Sequence, residues 1–238
     1  MHLPLRSILL AMSLAGFGFV ASAQTILDHG APATDVTASS VGSFTDYQTG
    51  PGILGGERDV QFVITDDAPP VSGNTVNVYA GGLPGSFSVE VNRGTGAEGW
   101  ARFVWDGGDA STDLDTTGLG GVDFSFHDGM AFQVSKDSGL TDWIFTFYSD
   151  ATHYSRYALG LTTNSLELAP ASLTFSVPTS IGPSGGANFA SIGAVAIDNT
   201  NSAAIDTALM NVRFTGIPEA GSLALLGLAA GGFVRRRR

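Results

Sequence analysis

The sequence predicts an all-β protein, an antiparallel β-sandwich, from three observations. Gly and Pro supply 32 and 10 of the 238 residues, which is more than a helical protein tolerates. Apolar and polar residues alternate with a period of two in many short runs. Outside the two ends of the chain, no helical period extends beyond two turns. A jelly roll is the first choice of architecture and an immunoglobulin-like sandwich is the second.

The alternating runs begin near Asp59. Val60, Phe62 and Ile64 alternate with polar residues, so one face of that strand is buried. The same pattern predicts strands at Val76–Val78, Phe87–Val91, Ala101–Trp105, Val122–Phe126, Phe132–Val134, Trp143–Phe147, Tyr154–Leu161, Leu173–Val177, Ile192–Ile197 and Met210–Phe214. Segments rich in Gly, Asp, Asn and Pro separate these strands and predict turns. Residues 25–58 are predicted to be irregular, with one strand at Thr34–Ala38.

Composition limits the classes of function. The formal net charge is -11, and the stretch from Gln24 to Ile217 holds 6 basic and 21 acidic residues, a net of -15. Such a surface repels phosphate backbones, so nucleic acid is not expected as a partner. There is no cysteine, which excludes disulfides, thiolate metal sites and a thiol nucleophile.

The N-terminus is typical of a secretory signal peptide. Arg6 supplies a basic region and Ile8–Val20 an apolar region. Small residues at Ala21 and Ala23 then favour cleavage by signal peptidase before Gln24. Residues 1–23 are therefore predicted to form a signal helix that is removed, the alternative being an uncleaved anchor.

The C-terminus has three parts, at residues 217–238. A short proline-containing stretch comes first, then the apolar run Gly221–Val234, then a basic cluster. As a helix the apolar run spans about 21 Å, less than the roughly 30 Å of a bilayer core, so it is a marginal transmembrane helix. Positive charge beside such a helix stays in the cytoplasm. The residues that hold this end inside are Arg235, Arg236, Arg237 and Arg238.

These residues resemble the PEP-CTERM sorting signal of Gram-negative and related bacteria. Pro218 and Glu219 match the first two motif positions, whereas Ala220 stands where proline is usual. The Gly- and Leu-rich run and the terminal arginines match the rest. The resemblance implies processing near Pro218–Glu219 by an exosortase, a membrane transpeptidase, after transient insertion in the inner membrane. The expected destination is the outer surface or extracellular matrix. An ordinary, uncut membrane anchor is the alternative.

The part between these ends, residues 24–216, is predicted to be one β-sandwich ectodomain. The segments "GPGILGGERDVQFVI", "ARFVWDGGDAS" and "GLGGVDFSF" resemble the ectodomain of many PEP-CTERM proteins. The resemblance covers residues 50–215 and implies a β-sandwich with no assigned activity. Locally, Gly55–Gly56 predicts a tight turn, and Arg58, between Glu57 and Asp59, predicts a structural ion pair beneath a loop.

One acidic loop is a candidate calcium site. Its segment "DGGDASTDLD" offers four carboxylates, and Ca²⁺ takes six to eight oxygen ligands. The four residues are Asp106, Asp109, Asp113 and Asp115. The spacing does not fit an EF-hand, and an aspartate-capped, solvated turn is the simpler interpretation. Calcium is the one cofactor considered.

Catalysis is not predicted. The chain has no H-E-x-x-H zinc motif and no G-x-S-x-G nucleophile elbow. A glycoside-active enzyme stays a remote alternative, because paired carboxylates are adjacent in space and need no fixed spacing in sequence.

Carbohydrate binding is the main alternative to a structural or exopolysaccharide-associated role. Tyrosines stack on sugar rings while charged groups bond the hydroxyls, and the candidate surface is Tyr148, Tyr154, Arg156 and Tyr157. It requires Tyr148 to face away from Phe147. An open sheet face that carries exposed aromatic side chains would favour carbohydrate binding. A face covered by Ser, Thr and Asn would favour the structural role.

Overall fold

The computed structural model describes residues 27–28, 33–67, 76–83, 86–93, 97–137, 141–161, 165–201 and 206–216. The predicted signal helix, the C-terminal helix and the sorting residues lie outside these ranges. No helix within the ranges is long and apolar enough to cross a membrane.

The described chain is almost entirely β, as predicted. Its one helical turn is a 3-10 turn at Leu54–Gly56. Thirteen strands are present in the described ranges: β1 (Thr34–Ala38), β2 (Gly42–Thr49), β3 (Glu57–Asp67), β4 (Val76–Leu83), β5 (Ser86–Arg93), β6 (Ala97–Trp105), β7 (Gly129–Lys136), β8 (Thr141–Tyr148), β9 (Tyr154–Leu161), β10 (Ser165–Thr174), β11 (Ser180–Ile181), β12 (Ala194–Asn201) and β13 (Thr207–Thr215).

These strands form two sheets, and every pair of neighbouring strands is antiparallel. The six-stranded sheet has the order β1-β4-β5-β13-β7-β10, and the seven-stranded sheet has the order β11-β9-β8-β12-β6-β3-β2. The connections are those of a jelly roll. In one sheet β5 pairs with β13. The strand after β5, which is β6, and the strand before β13, which is β12, pair with each other in the other sheet. The predicted sandwich is confirmed.

The core lies between the two sheets and is rich in aromatic rings. Phe147 of β8, which is fully buried, is at its centre. Its ring centroid lies 4.9 to 6.4 Å from those of Phe124, Tyr157, Phe175, Phe189 and Phe214. Most of these rings meet Phe147 edge to face, at interplanar angles of 62° to 79°. Tyr157 and Phe214 come from strands, which contribute every second side chain to the interior, and the other three rings come from the connecting segments.

Four element predictions were wrong in detail. The two-residue strand β11 was missed. β2 was missed, because on this polar edge strand Phe44 alone stacks on the core ring Phe62, with centroids 5.0 Å apart. Val122–Phe126 is not a strand; it makes one bridge to Ile192 and then turns at Asp123. β10 was placed too late in the chain, since it begins at Ser165.

The turn before β3 and its ion pair are confirmed. Gly55 and Gly56 have φ of 73° and 92°, a left-handed conformation that favours glycine. Arg58 is fully buried and forms an ion pair with Asp28, and its Nη2 donates to Thr34 Oγ1 at 2.8 Å. Since Thr34 belongs to β1 and Arg58 to β3, this network joins the two sheets.

Candidate functional site

Three of the four residues predicted to bind carbohydrate lie on the outer face of the seven-stranded sheet. Tyr148 and Tyr154 stand opposite each other on β8 and β9, and Arg156 is two residues further along β9 on the same face. The Arg156 guanidinium lies over the Tyr154 ring at 5.8 Å from its centroid.

Tyr157 does not belong to this surface, which corrects the predicted set. It is 4% exposed, and its hydroxyl donates to the carbonyl of Phe175 at 2.7 Å. Neighbouring strand residues face opposite sides, so Tyr157 points into the core if Arg156 points out. Burial raises the pKa of Tyr157 to about 12.

Tyr148 is on the outer face but is covered. Tyr148 is 8% exposed and packs with Val104, Ala194 and Ala196 in a small apolar cluster, against which Leu114 and Tyr154 also pack. Leu114 belongs to residues 106–121, the loop that follows β6. This loop thus closes one end of the outer face and leaves the other end open.

The open end contains a groove of about 300 Å³. It is lined by Trp100, Arg102, Ile144, Arg156, Asp198 and Thr200. These side chains come from β6, β12, β8 and β9, which are consecutive in the sheet. Three strand spacings give the groove a length of about 14 Å across the sheet. The chemistry along it is mixed: one indole, two guanidinium groups, one carboxylate, one hydroxyl and one aliphatic side chain.

One ion pair organises the groove. Arg102 and Asp198 stand opposite each other in the β6–β12 register, and Arg102 Nε donates to Asp198 Oδ1 at 2.6 Å. The Arg102 guanidinium also lies over the Trp100 ring, 5.7 Å from its centroid. Burial works to lower the pKa of Arg102, but the hydrogen bond and charge of Asp198 outweigh it and raise that pKa. The pair thus holds the Arg102 guanidinium in place over the indole.

Sequence reasoning missed Trp100 and Arg102, although a signal for them was present. The alternation Ala101, Phe103, Trp105 identifies the buried residues of β6. The same period places Trp100 and Arg102 on the opposite, outer face. What the alternation could not show is that β12 lies beside β6 and β8 lies beside β12, which brings Asp198 and Ile144 to the same place.

The four aspartates predicted to bind calcium do not converge, so that prediction is wrong for this set. Asp106 is buried, whereas Asp109, Asp113 and Asp115 are exposed. Asp109 and Asp115 accept hydrogen bonds from backbone N–H groups two residues later, as turn-forming aspartates do. In the part of the chain that the structure describes, no three acidic or histidine side chains form a metal site by themselves.

No protein-family model matches the chain, and no curated protein matches it in sequence. Among solved structures, similarity is found to the family 11 carbohydrate-binding module from Clostridium thermocellum in complex with a β-1,3-1,4-mixed-linked tetrasaccharide. The identity is 10%, the match covers 79% of this chain and 90% of that chain, and the TM-score is 0.38. The solution structure of CtCBM11 matches at 13% identity over 84% of this chain and 99% of that one, with a TM-score of 0.41. A family 29 carbohydrate-binding module matches at 10% identity over 78% and 88%, with a TM-score of 0.26. These similarities are too distant to identify a ligand for this chain.

Proposed function

We propose that this chain is an exported cell-surface or extracellular-matrix protein that binds carbohydrate. Binding takes place in the groove on the outer face that Trp100 lines, called the Trp100 groove below. One observation carries the binding part: a partly exposed tryptophan lies on an open sheet face between charged, hydrogen-bonding side chains. The export part comes from the two ends of the sequence, which resemble a signal peptide and a sorting signal.

The groove offers both kinds of contact that sugars use. The face of an indole packs against the C–H groups on one side of a sugar ring, and burial of that apolar surface favours binding. The guanidinium groups of Arg102 and Arg156 donate hydrogen bonds to sugar hydroxyls, and Asp198 accepts them. Because the Arg102–Asp198 pair is formed before any ligand arrives, little ordering is needed on binding.

The groove supports binding better than hydrolysis. Glycoside hydrolysis normally uses two carboxyl groups on either side of the scissile bond. Among the described residues that line the groove, Asp198 supplies the carboxylate, and Arg102 holds it by a hydrogen bond of 2.6 Å. We therefore propose a non-catalytic module, which associates with exopolysaccharide at its destination.

Replacing Trp100 with alanine is expected to weaken carbohydrate binding about tenfold or more, because it removes the stacking surface. Affinity electrophoresis of the full-length chain, in gels that contain increasing amounts of the host's own exopolysaccharide, measures this directly. Phe126→Ala is the matched control, since Phe126 is an aromatic residue with 65% exposure that does not line the groove. Unchanged mobility of the wild type at every polymer concentration would contradict carbohydrate binding. Equal retardation of W100A and wild type would contradict this groove.

Sorting makes a separate prediction about the C-terminus. Mass spectrometry of the protein recovered from its host, with envelope and medium analysed separately, is expected to find a new C-terminus near Ile217–Ala220. The apolar run and the arginine cluster would then be missing. An intact Arg238 in the membrane fraction would instead identify an uncut anchor and overturn the exosortase part of the proposal.

A further inference from the structure

Three acidic side chains are buried together where β3 begins and β6 ends. Glu57, Asp59 and Asp106 are each 2% exposed. Asp59 stands opposite Val104 in the β3–β6 register, so Glu57 and Asp106, two residues away on either strand, share its face of the sheet. We call these three residues the acidic cluster. None of them lines the Trp100 groove.

The hydrogen bonds of the cluster are incomplete. Glu57 Oε1 accepts from the Ala110 N–H at 3.1 Å, and Asp106 Oδ2 accepts from the Asp115 N–H at 2.7 Å. Both carboxyl oxygens of Asp59, and Oδ1 of Asp106, are buried and accept no hydrogen bond from any other described residue, while the two carboxyl groups lie within hydrogen-bond reach of each other. Within the same ranges, no basic side chain forms an ion pair with the three acids.

Such an arrangement is unfavourable as it stands. A buried carboxylate without a hydrogen bond or counter-charge loses its hydration and gains nothing in return. The carboxyl pair therefore requires either a shared proton or a bound cation to be stable.

The loop that starts at Asp106 is packed tightly against its own backbone. It folds back so closely that a Cβ on Gly118 would lie 1.8 Å from the carbonyl oxygen of Asp106, and one on Gly107 2.5 Å from that of Gly118. Only backbone fits at these two positions, so the chain of the loop passes close beside Asp106. Backbone carbonyl oxygens in general are hard ligands that calcium takes beside carboxylates.

We propose that Asp59 and Asp106 bind one calcium-sized divalent cation, with backbone carbonyl groups and water completing its shell. This site shares Asp106 with the calcium site predicted from the sequence. In place of the three exposed aspartates of the loop it has Asp59 of β3. The cation would fasten the loop of residues 106–121 to β3. Since Leu114 of that loop packs against the apolar cluster that contains Tyr148, the bound ion would also hold the closed end of the outer face in place.

Calorimetric titration of the full-length chain with CaCl2, after treatment with a chelator that is then removed, tests the site. The expected result is one Ca²⁺ per chain, with Mg²⁺ bound more weakly because it requires a smaller, stricter octahedral shell. Asp59→Asn and Asp106→Asn should each weaken calcium binding at least tenfold. Asp113→Asn, which changes an exposed aspartate of the same loop, should leave the affinity unchanged.

Thermal unfolding gives an independent measurement. Calcium at about a hundredfold excess over its wild-type Kd should raise the wild-type Tm by about 5–10 °C, and should raise that of D59N by no more than about half as much. D59N is expected to fold, since asparagine has nearly the same shape and removes a buried charge; far-UV circular dichroism checks this. No heat and no shift in Tm at millimolar Ca²⁺, or wild-type affinity in D59N, would overturn the site in favour of a shared proton. Neither result depends on carbohydrate binding.

Discussion

Phe147→Ala is expected to lower the free energy of unfolding by about 3–5 kcal/mol, the usual cost of emptying the space of a large buried ring. Phe147 is fully buried and has five aromatic neighbours, which come from both sheets and from the segments between them. Those neighbours are held by two strands and by the packed segments between them, so they cannot collapse far into the cavity. The lost contacts are therefore only partly replaced. Urea denaturation followed by circular dichroism and tryptophan fluorescence measures the change.

Phe126→Ala is the control for this experiment, because it deletes the same side chain from an exposed position. Its effect should stay within about 0.5 kcal/mol. If the two variants were equally stable, Phe147 would not be at the centre of the core. A change in the denaturant slope of F147A, with little change in midpoint, would point to an altered unfolded state instead.

Arg58→Met is expected to destabilise the fold by about 3–5 kcal/mol, the cost of breaking a buried ion pair by removing one partner. Methionine keeps much of the apolar volume of Arg58, so the loss reports the guanidinium group. The substitution removes the ion pair to Asp28, which is 2% exposed, and the hydrogen bond to Thr34. Because these contacts run from β3 to β1, the loss should also loosen the first strand of the six-stranded sheet.

The double variant R58M/D28N separates charge from packing. If the cost of R58M comes from the buried Asp28 carboxylate, removing that charge as well should restore part of the lost stability. His153→Gln serves as the exposed comparison, since the His153–Asp150 pair is 44% exposed on both sides and should contribute little. An R58M chain as stable as the wild type would show that the buried pair does not tie the sheets together.

Much of the fold could be predicted because the inner and outer faces of most strands differ strongly in polarity. β3, β6 and β8 each place an unbroken row of apolar side chains inside, which a period of two reveals. β2 lies at the sheet edge, where one aromatic contact is enough, so its sequence remains polar. Val122 and Phe124 alternate with polar residues as a strand would. Phe124 nevertheless lies in a loop, where its side chain is buried and its backbone N–H donates to the carbonyl of Phe189.

The candidate site was less predictable, because it depends on which strands are neighbours. The positions of Tyr154 and Arg156 on one face followed from spacing, and the same spacing excludes Tyr157 from that face. The meeting of Arg102 with Asp198, 96 residues later in the chain, follows from the pairing of β6 with β12. The same holds for Asp59 and Asp106, whose proximity depends on the β3–β6 register.

The order in which strands enter the sheets has a consequence for how this chain reaches its native state. β12 lies between β6 and β8, and β13 lies between β5 and β7, so the last two strands complete the middle of both sheets. Pairings over such long sequence separations form slowly. When the chain becomes available for folding from its N-terminus onward, β5 and β7 each keep one edge unpaired until residues 207–215 can form β13 between them. During that interval the unpaired edges can pair with strands of other molecules. The rate at which residues 207–215 become available therefore competes with the rate of aggregation.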